Sequence, residues 1–243
     1  MGWPRTRPCT LNMSLILLIE TATTSCSVAL AADDKIIALQ QINQRNAHAE
    51  VITLYIDQVL KETVTLYHDI DAVAASCGPG SYTGLRIGIS TAKGLCFSLD
   101  KPLISVETLT AMAHGFIARG QMDITEGTLL CPMIDARRME VYTALFGHSG
   151  NQVKPTAAEI IDERSFSDLL ANHKIIFFGD GADKCKKTLA HQPNAIFSEN
   201  YVNSAQDMLI PALQKFKEQQ FEDIAYFEPF YLKDFIAGVK KTN

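Results

Sequence analysis

The chain has 243 residues, of which 47% are hydrophobic and 20% are charged, and its formal net charge is −5 at pH 7. This composition is that of a globular protein with a buried core, and it excludes an intrinsically disordered chain. The length allows one domain or two. The acidic balance argues against a chain that binds nucleic acid by itself, because phosphate contacts need a basic surface, but it is compatible with the acidic member of a complex.

The six cysteines are scattered and never form a C-x-x-C pair, which argues against a zinc site and a disulfide scaffold. We therefore expect a reduced, cytoplasmic protein without a bound metal. Residues 1–12 have no apolar core of a secretory signal, and we interpret them as a disordered leader or an over-extended start. No segment approaches the roughly 18 apolar residues that cross a bilayer, so no membrane association is expected.

The hydrophobic pattern of the first half predicts three strands followed by alternating helices and strands. The predicted strands cover residues 14–19, 26–30, 36–40, 71–76 and 104–106, and the predicted helices cover residues 46–63, 83–99 and 108–119. Asn46 and Thr108 are the expected N-caps of the first and third helix.

The polar stretch "RGQMDITEG" interrupts this pattern and predicts a boundary between an N-terminal domain (residues 13–119) and a C-terminal domain (residues 120–243). After it, strands are predicted over residues 129–134, 140–146, 158–161 and 175–178, and helices over residues 166–172, 184–190 and 205–219, before an irregular tail. Both halves therefore begin with the order βββαβα, without a repeat of residues. Two such units side by side are the α/β architecture of the actin, Hsp70 and sugar-kinase superfamily (ASKHA), which is the predicted fold class.

The stretch "CGPGSYTGLRIGISTAKGL" follows a buried strand and precedes a helix, which is where α/β proteins bind phosphate. Its G-x-G-x-x-x-G spacing is one residue too long for the dinucleotide fingerprint, and it lacks the Gly-Lys-Ser/Thr of a P-loop. A generic anion or nucleotide site stays open. Its residues would be Glu20, Thr21, Gly78, Gly80, Ser81, Tyr82, Thr83, Gly84 and Arg86.

The helices on either side of residues 71–76 carry more apolar or small residues than one buried stripe needs. Glycine within a helix costs about 1 kcal/mol relative to alanine, so repeated glycines suggest that another backbone comes close. We interpret the surplus as an interface with another chain; the alternative is a helix packed on both sides within one domain. The expected interface residues are His48, Val51, Ile52, Leu54, Tyr55, Ile87, Gly88, Thr91 and Gly94. Replacing Gly88 with leucine is expected to block the partner without affecting the fold.

No residue arrangement predicts a catalytic centre or a metal site. A metal-binding H-x-x-x-H pattern beginning at His48 would need a second histidine where the chain has Ile52. Residues 135–138, "DARR", together with Glu140, predict either a polar site or a surface turn with ion pairs. No Ser-His-Asp or Cys-His arrangement follows from the spacing.

Several of these stretches resemble the TsaB (YeaZ) family. The resemblance is carried by "ILLIETATTSCSVAL", "NAHAEVITLYIDQVL", "CGPGSYTGLRIGISTAKGL", "PLISVETLTAMA" and "MIDARRMEVYTALF", with "FFGDG" and "PFYLK" as sparser C-terminal markers. It covers nearly the whole chain, and its glycine-rich block is very specific. One departure is Glu20-Thr21, where the family usually has Asp-Thr. The longer glutamate side chain argues further against binding of a metal–nucleotide complex by this chain alone.

The resemblance implies a two-domain actin-like protein without a transferase site of its own. It would pair through its two N-domain helices with a catalytic paralogue, TsaD, which carries the histidine pair that this chain lacks, and would work with an ATPase, TsaE. The complex attaches a threonylcarbamoyl group to the adenosine beside the anticodon of ANN-decoding tRNAs. We expect no cofactor bound stably by this chain, ATP used by the complex, and indirect contact with tRNA. A homodimer of the isolated chain through the same helices stays open. The alternative is a free-standing actin-like ATPase or kinase.

Overall fold

The computed structural model describes residues 13–44, 47–120 and 122–232, so the predicted leader, Cys9 and the Asn46 cap lie outside these residues. The first sheet contains β1 (Leu15–Glu20), β2 (Ser25–Ala32), β3 (Lys35–Asn43), β4 (Ala72–Gly78) and β5 (Leu103–Glu107). The second sheet contains β6 (Leu129–Asp135), β7 (Glu140–Phe146), β8 (Gln152–Ile160), β9 (Ile175–Phe178) and β10 (Ala195–Ser198).

Six α-helices and two short 3₁₀ segments are present in the described part of the chain. The helices are α1 (His48–Glu62), α2 (Tyr82–Leu99), α3 (Thr108–Arg119), α4 (Ser167–Leu170), α5 (Asp180–Leu189) and α6 (Leu209–Lys217), and the 3₁₀ segments are Tyr67–Asp69 and Ala205–Met208. Residues 218–232, which we call the C-terminal tail, contain no helix or multi-residue strand.

The two sheets have the same topology. Their strand orders are β3-β2-β1-β4-β5 and β8-β7-β6-β9-β10. In each sheet the first strand pairs antiparallel with the second and parallel with the fourth. This duplicated arrangement confirms the predicted actin-like fold class.

The central strands β1 and β6 are apolar except for their last residue, as expected for strands of a sheet that is covered on both faces. One face of the first sheet packs against α1 and α2, through strand residues such as Leu17 and Ile19. The opposite face packs, through Ile16 and Leu18, against residues of the second 3₁₀ segment and α6. Burial on both faces of the sheet therefore accounts for the continuous apolar runs from which these strands were predicted.

The last helix of each half packs against elements of the other half, and α3 also places Ala111 in the core of the first sheet. α3 shares a core with β6, β7 and β9, whereas α6 packs on the first sheet. Arg119 of α3 donates two hydrogen bonds, of 2.7 and 2.8 Å, to the buried carboxylate of Asp207. All strands of the first sheet precede residue 120 and all those of the second follow it, but the packing crosses this point, and the domain boundary stays a prediction.

Four local predictions were wrong. β8 begins at Gln152, six residues before the strand predicted over residues 158–161. The strand β10 was missed because its four residues are too short for a periodic signal. α5 begins at Asp180, four residues before the helix predicted over residues 184–190. The N-cap of α3 is Glu107, not Thr108, whose hydroxyl is buried without a hydrogen-bond partner.

Candidate functional site

The turn between β1 and β2 packs directly against the glycine-rich loop and the first turns of α2. A Cβ on Gly84 would lie closer than 3.0 Å to the carbonyl oxygen of Thr21, and one on Gly88 would overlap the Thr21 hydroxyl. Ser81 donates its backbone N–H to the carbonyl of Ala22 over 2.6 Å. The absence of a side chain at Gly84 and Gly88 therefore allows the β1–β2 turn of the same chain to pack against α2. This corrects the prediction that Gly88 leaves room for a partner helix.

Ser81 has a second role at the start of α2. Its side-chain oxygen accepts a hydrogen bond of 3.2 Å from the Gly84 N–H, so it is the N-cap of the helix. A Cβ on Gly80 would collide with Ala22 in the same turn. Thr83 lies exposed on the first helical turn. The loop thus directs several of its polar and small groups to intrachain contacts instead of to an open anion site.

The C-terminal tail covers the other side of this loop. Gly78 has a φ of +117°, and a Cβ there would meet the carbonyl oxygen of Phe230 at 2.5 Å. The ring of Tyr231 lies 4.9 Å from that of Tyr82, and its hydroxyl accepts a hydrogen bond of 3.2 Å from Arg86. Arg86 also lies over the Tyr82 ring. Sequence reasoning missed this cover; the aromatic "PFY" of the tail was the available signal.

Glu20, at the end of β1, is buried with 1% of its surface exposed. Its carboxylate accepts a hydrogen bond of 2.6 Å from the N–H of Ala22. Burial nevertheless raises the pKa of Glu20 to about 7, against the lowering effect of hydrogen bonds with Ala22 and Ser76. Metal ligation needs the ionised carboxylate, so this burial adds the cost of releasing a proton to any binding of Mg²⁺ by Glu20.

A narrow cleft separates the two halves at the carboxyl ends of their central strands. It is lined by Thr23, Thr24, Asn43, Met112, Gly179, Asp180, Tyr201, Val202 and Asn203. Its volume is about 50 Å³, whereas pockets for small molecules usually measure about 300–1,000 Å³. The Thr23 hydroxyl donates to Asn203 and the Thr24 hydroxyl to Asn43. In this conformation the cleft is too small for a nucleotide.

The predicted interface residues of α1 divide into two groups. His48 and Ile52 are only 6% and 2% exposed, and His48 Nε2 lies 3.0 Å from the carbonyl of Thr23. Both residues belong to the chain's own interior, so they are removed from the expected contact surface. Val51 and Tyr55 are half-buried against the core, and Leu54 is 51% exposed.

α2 carries the remaining predicted interface residues. Ile87 and Thr91 are half-buried, and the Thr91 hydroxyl donates to the Ile87 carbonyl over 2.8 Å. No atom lies within 4 Å of a Cβ placed on Gly94. Phe97, which was not among the predicted interface residues, is 82% exposed. We call Leu54, Ile87, Gly94 and Phe97 the α1–α2 face.

Among the described residues, no three His, Cys, Asp or Glu side chains come together as metal ligands. The five cysteines in this part of the chain are buried and unpaired. No described helix has the length and apolar character needed to cross a membrane. The expected lack of a cofactor and of catalytic residues stays a prediction.

Comparison with known proteins identifies the family. The Escherichia coli tRNA threonylcarbamoyladenosine biosynthesis protein TsaB is 33% identical over 234 residues, which are 93% of this chain and 97% of the relative. The chain belongs to the TsaB (YeaZ) family. The TsaB of Haemophilus influenzae is 36% identical over 131 residues, 54% of this chain and 52% of that protein.

The wider matches agree with the TsaB assignment. A family profile described as TsaD, tRNA N6-adenosine threonylcarbamoyltransferase, matches residues 35–241. A transferase of that name from Erythrobacter litoralis is 32% identical over 117 residues, but the match covers only 34% of its length. The structure of YeaZ from Pseudomonas aeruginosa has a TM-score of 0.76 and 24% identity, and the match covers 90% of this chain and all of YeaZ. That structural likeness shows the fold.

Proposed function

We propose that this chain is the non-catalytic subunit of a complex that attaches a threonylcarbamoyl group to the adenosine beside the anticodon of ANN-decoding tRNAs. Membership in the TsaB family, with a relative in E. coli matched over almost its whole length, supports a role in the biosynthesis of this nucleoside. The chain binds a TsaD-like catalytic paralogue and works with a TsaE-like ATPase. ATP is consumed by the complex and is not bound stably by this chain.

The observation that carries the docking proposal is the α1–α2 face. Exposed apolar side chains next to an unfilled glycine provide a surface that a second helix pair can approach closely. Leu54 and Phe97 supply apolar area, and the open space at Gly94 lets a partner backbone come near. The same face would also support a homodimer of the isolated chain.

Three observations support the absence of a nucleotide site in this chain. Burial raises the pKa of Glu20 to about 7. The cleft between the halves encloses about 50 Å³. The glycine-rich loop contacts the first turn on one side and the tail residue Phe230 on the other. Each of these features opposes the binding of a metal–nucleotide complex at the position where an actin-like kinase would hold it.

Replacing Gly94 with arginine should weaken binding of the TsaD-like partner at least tenfold, because a long charged side chain would occupy space that the partner needs. The fold should be unaffected, since nothing in the chain lies within 4 Å of the new Cβ. Co-purification with the tagged partner and measured mass of the complex provide the readout. The matched control is Gln214→Arg, at an exposed position of α6, which packs on the opposite face of the first sheet from α2. Equal complex formation by both variants would disprove docking through this face.

Calorimetry with Mg-ATP tests the alternative of a free-standing ATPase or kinase. We expect the isolated chain to give no binding heat at micromolar nucleotide, because the cleft and the loop are closed by intrachain contacts. Micromolar binding together with turnover would favour the enzyme and contradict the proposed subunit role. The Arg86→Ala variant, which loses its hydrogen bond to Tyr231, shows whether the tail itself keeps the loop closed.

A further inference from the structure

The turn between β6 and β7 contains an unusual backbone conformation. Arg137 and Arg138 have φ values of +72° and +51°. Within the described ranges, this is the one place where two successive non-glycine residues have positive φ. Side chains with a Cβ are disfavoured there, and tight turns with this geometry usually contain Asn-Gly. Strained residues of this kind often mark functional sites.

Several hydrogen bonds hold the turn in this conformation. Asp135 accepts the N–H of Arg137 over 2.8 Å and forms an ion pair with Lys184. The same lysine donates to the carbonyl of Glu140 over 2.7 Å, and that carbonyl also accepts the N–H of Ala136. The turn is therefore a surface turn with an ion pair, one of the two arrangements expected from "DARR". The ion pair of Asp135 is with Lys184, and no ion pair joins Asp135 to either arginine.

Both arginine side chains are exposed, and no described residue forms a hydrogen bond or an ion pair with either guanidinium. The turn also lies at the rim of the cleft. The Asp135 N–H donates over 3.0 Å to Asp180, the first residue of α5, and Asp180 lines that cleft. Ligands of open α/β sheets bind at this carboxyl end of the strands. Within the described residues, the chain thus presents two cations without an ion-pair partner at the edge where such folds place their binding sites.

We propose that Arg137 and Arg138 bind the phosphate backbone of the tRNA substrate. Guanidinium groups bind phosphate oxygens through paired hydrogen bonds, which explains why arginines stand where Asn-Gly would fit the backbone better. Phosphate is favoured over a carboxylate because the proposed modification acts on a tRNA, so the inference rests on the proposed function. It replaces the expectation that this chain reaches tRNA only indirectly.

The double variant Arg137→Asn/Arg138→Gly separates the effect of the backbone strain on stability from the effect of the two arginines on tRNA binding. It should raise the melting temperature by about 2–4 °C, because the new residues accept positive φ. It should also weaken binding of an unmodified ANN-decoding tRNA transcript about tenfold. The slope of log affinity against log salt should fall by about two between roughly 50 and 200 mM KCl. Fluorescence anisotropy of the labelled transcript, with the full chain alone and with its TsaD-like partner, measures both quantities.

The control variant Lys35→Gln/Lys217→Gln removes two positive charges from exposed sites elsewhere, and it should change tRNA affinity less than twofold. Equal affinity losses in the two double variants, or no loss in the arginine variant, would overturn the proposal. So would absence of tRNA binding by the wild-type chain with its partner present. If the arginine variant no longer bound the TsaD-like partner but kept its tRNA affinity, the arginines would form a protein contact and the proposal would be wrong. Complex formation by the same variant is scored separately, so failure here leaves the proposed function standing.

Discussion

Replacing Gly84 with alanine should lower the free energy of unfolding by about 3 kcal/mol. The new Cβ would lie closer than 3.0 Å to the backbone carbonyl oxygen of Thr21. A backbone atom of a buried turn cannot rotate aside as a side chain can, so the turn or the helix must shift, and overpacking of this kind typically costs 1–3 kcal/mol and occasionally more. Urea unfolding followed by circular dichroism measures the change.

The matched control is the same substitution at Gly94, further along α2. Nothing in the chain lies within 4 Å of a Cβ at this position, so alanine should stabilise the helix by up to about 1 kcal/mol. Substitution with alanine is thus expected to lower the free energy of unfolding at Gly84 and to raise it at Gly94. If Gly84→Ala were as well tolerated as Gly94→Ala, the close contact between α2 and the first turn would not explain the glycine.

The wild-type chain should lose about 3 kcal/mol of stability through the titration of Glu20 as the pH rises from 4.5 to above 7. The pKa of this carboxyl is about 7 in the folded protein against an ordinary value of 4.5, because burial disfavours the charged form. The folded state therefore holds the proton more tightly than the unfolded state. This contribution is fully present below pH 4.5 and is lost as the pH rises through the folded pKa.

The Glu20→Gln variant should lack this part of the pH dependence. Glutamine does not titrate, and its side-chain oxygen can still accept the N–H of Ala22. Urea unfolding of wild type and variant at about pH 5 and about pH 8 gives the difference directly. Glu50→Gln, at an exposed position on α1, is the control for removal of a carboxylate. A pH dependence that is the same in wild type and Glu20→Gln would contradict the assigned titration.

The sequence by itself determined the order of most of the elements, the fold class and the family. Continuous apolar runs predicted the buried central strands, and both sheets then showed the same order. The family signal was strong because the glycine-rich block is long and specific. The apolar stripes also identified α1 and α2 as helices with more than one non-polar side. These features depend on local periodicity and composition, which can be read without knowing distant neighbours.

Only the tertiary structure decided what each small or polar residue touches. A glycine in a helix indicates that something comes close, but Gly84 meets Thr21 of the same chain whereas Gly94 meets no atom of it. The cover provided by Tyr231 and the burial that shifts the pKa of Glu20 likewise depend on contacts between distant segments. The strain at Arg137 had no sequence signal because the turn contains neither glycine nor asparagine. Such contacts arise only when the chain has folded, and the local pattern does not identify which distant segments will meet.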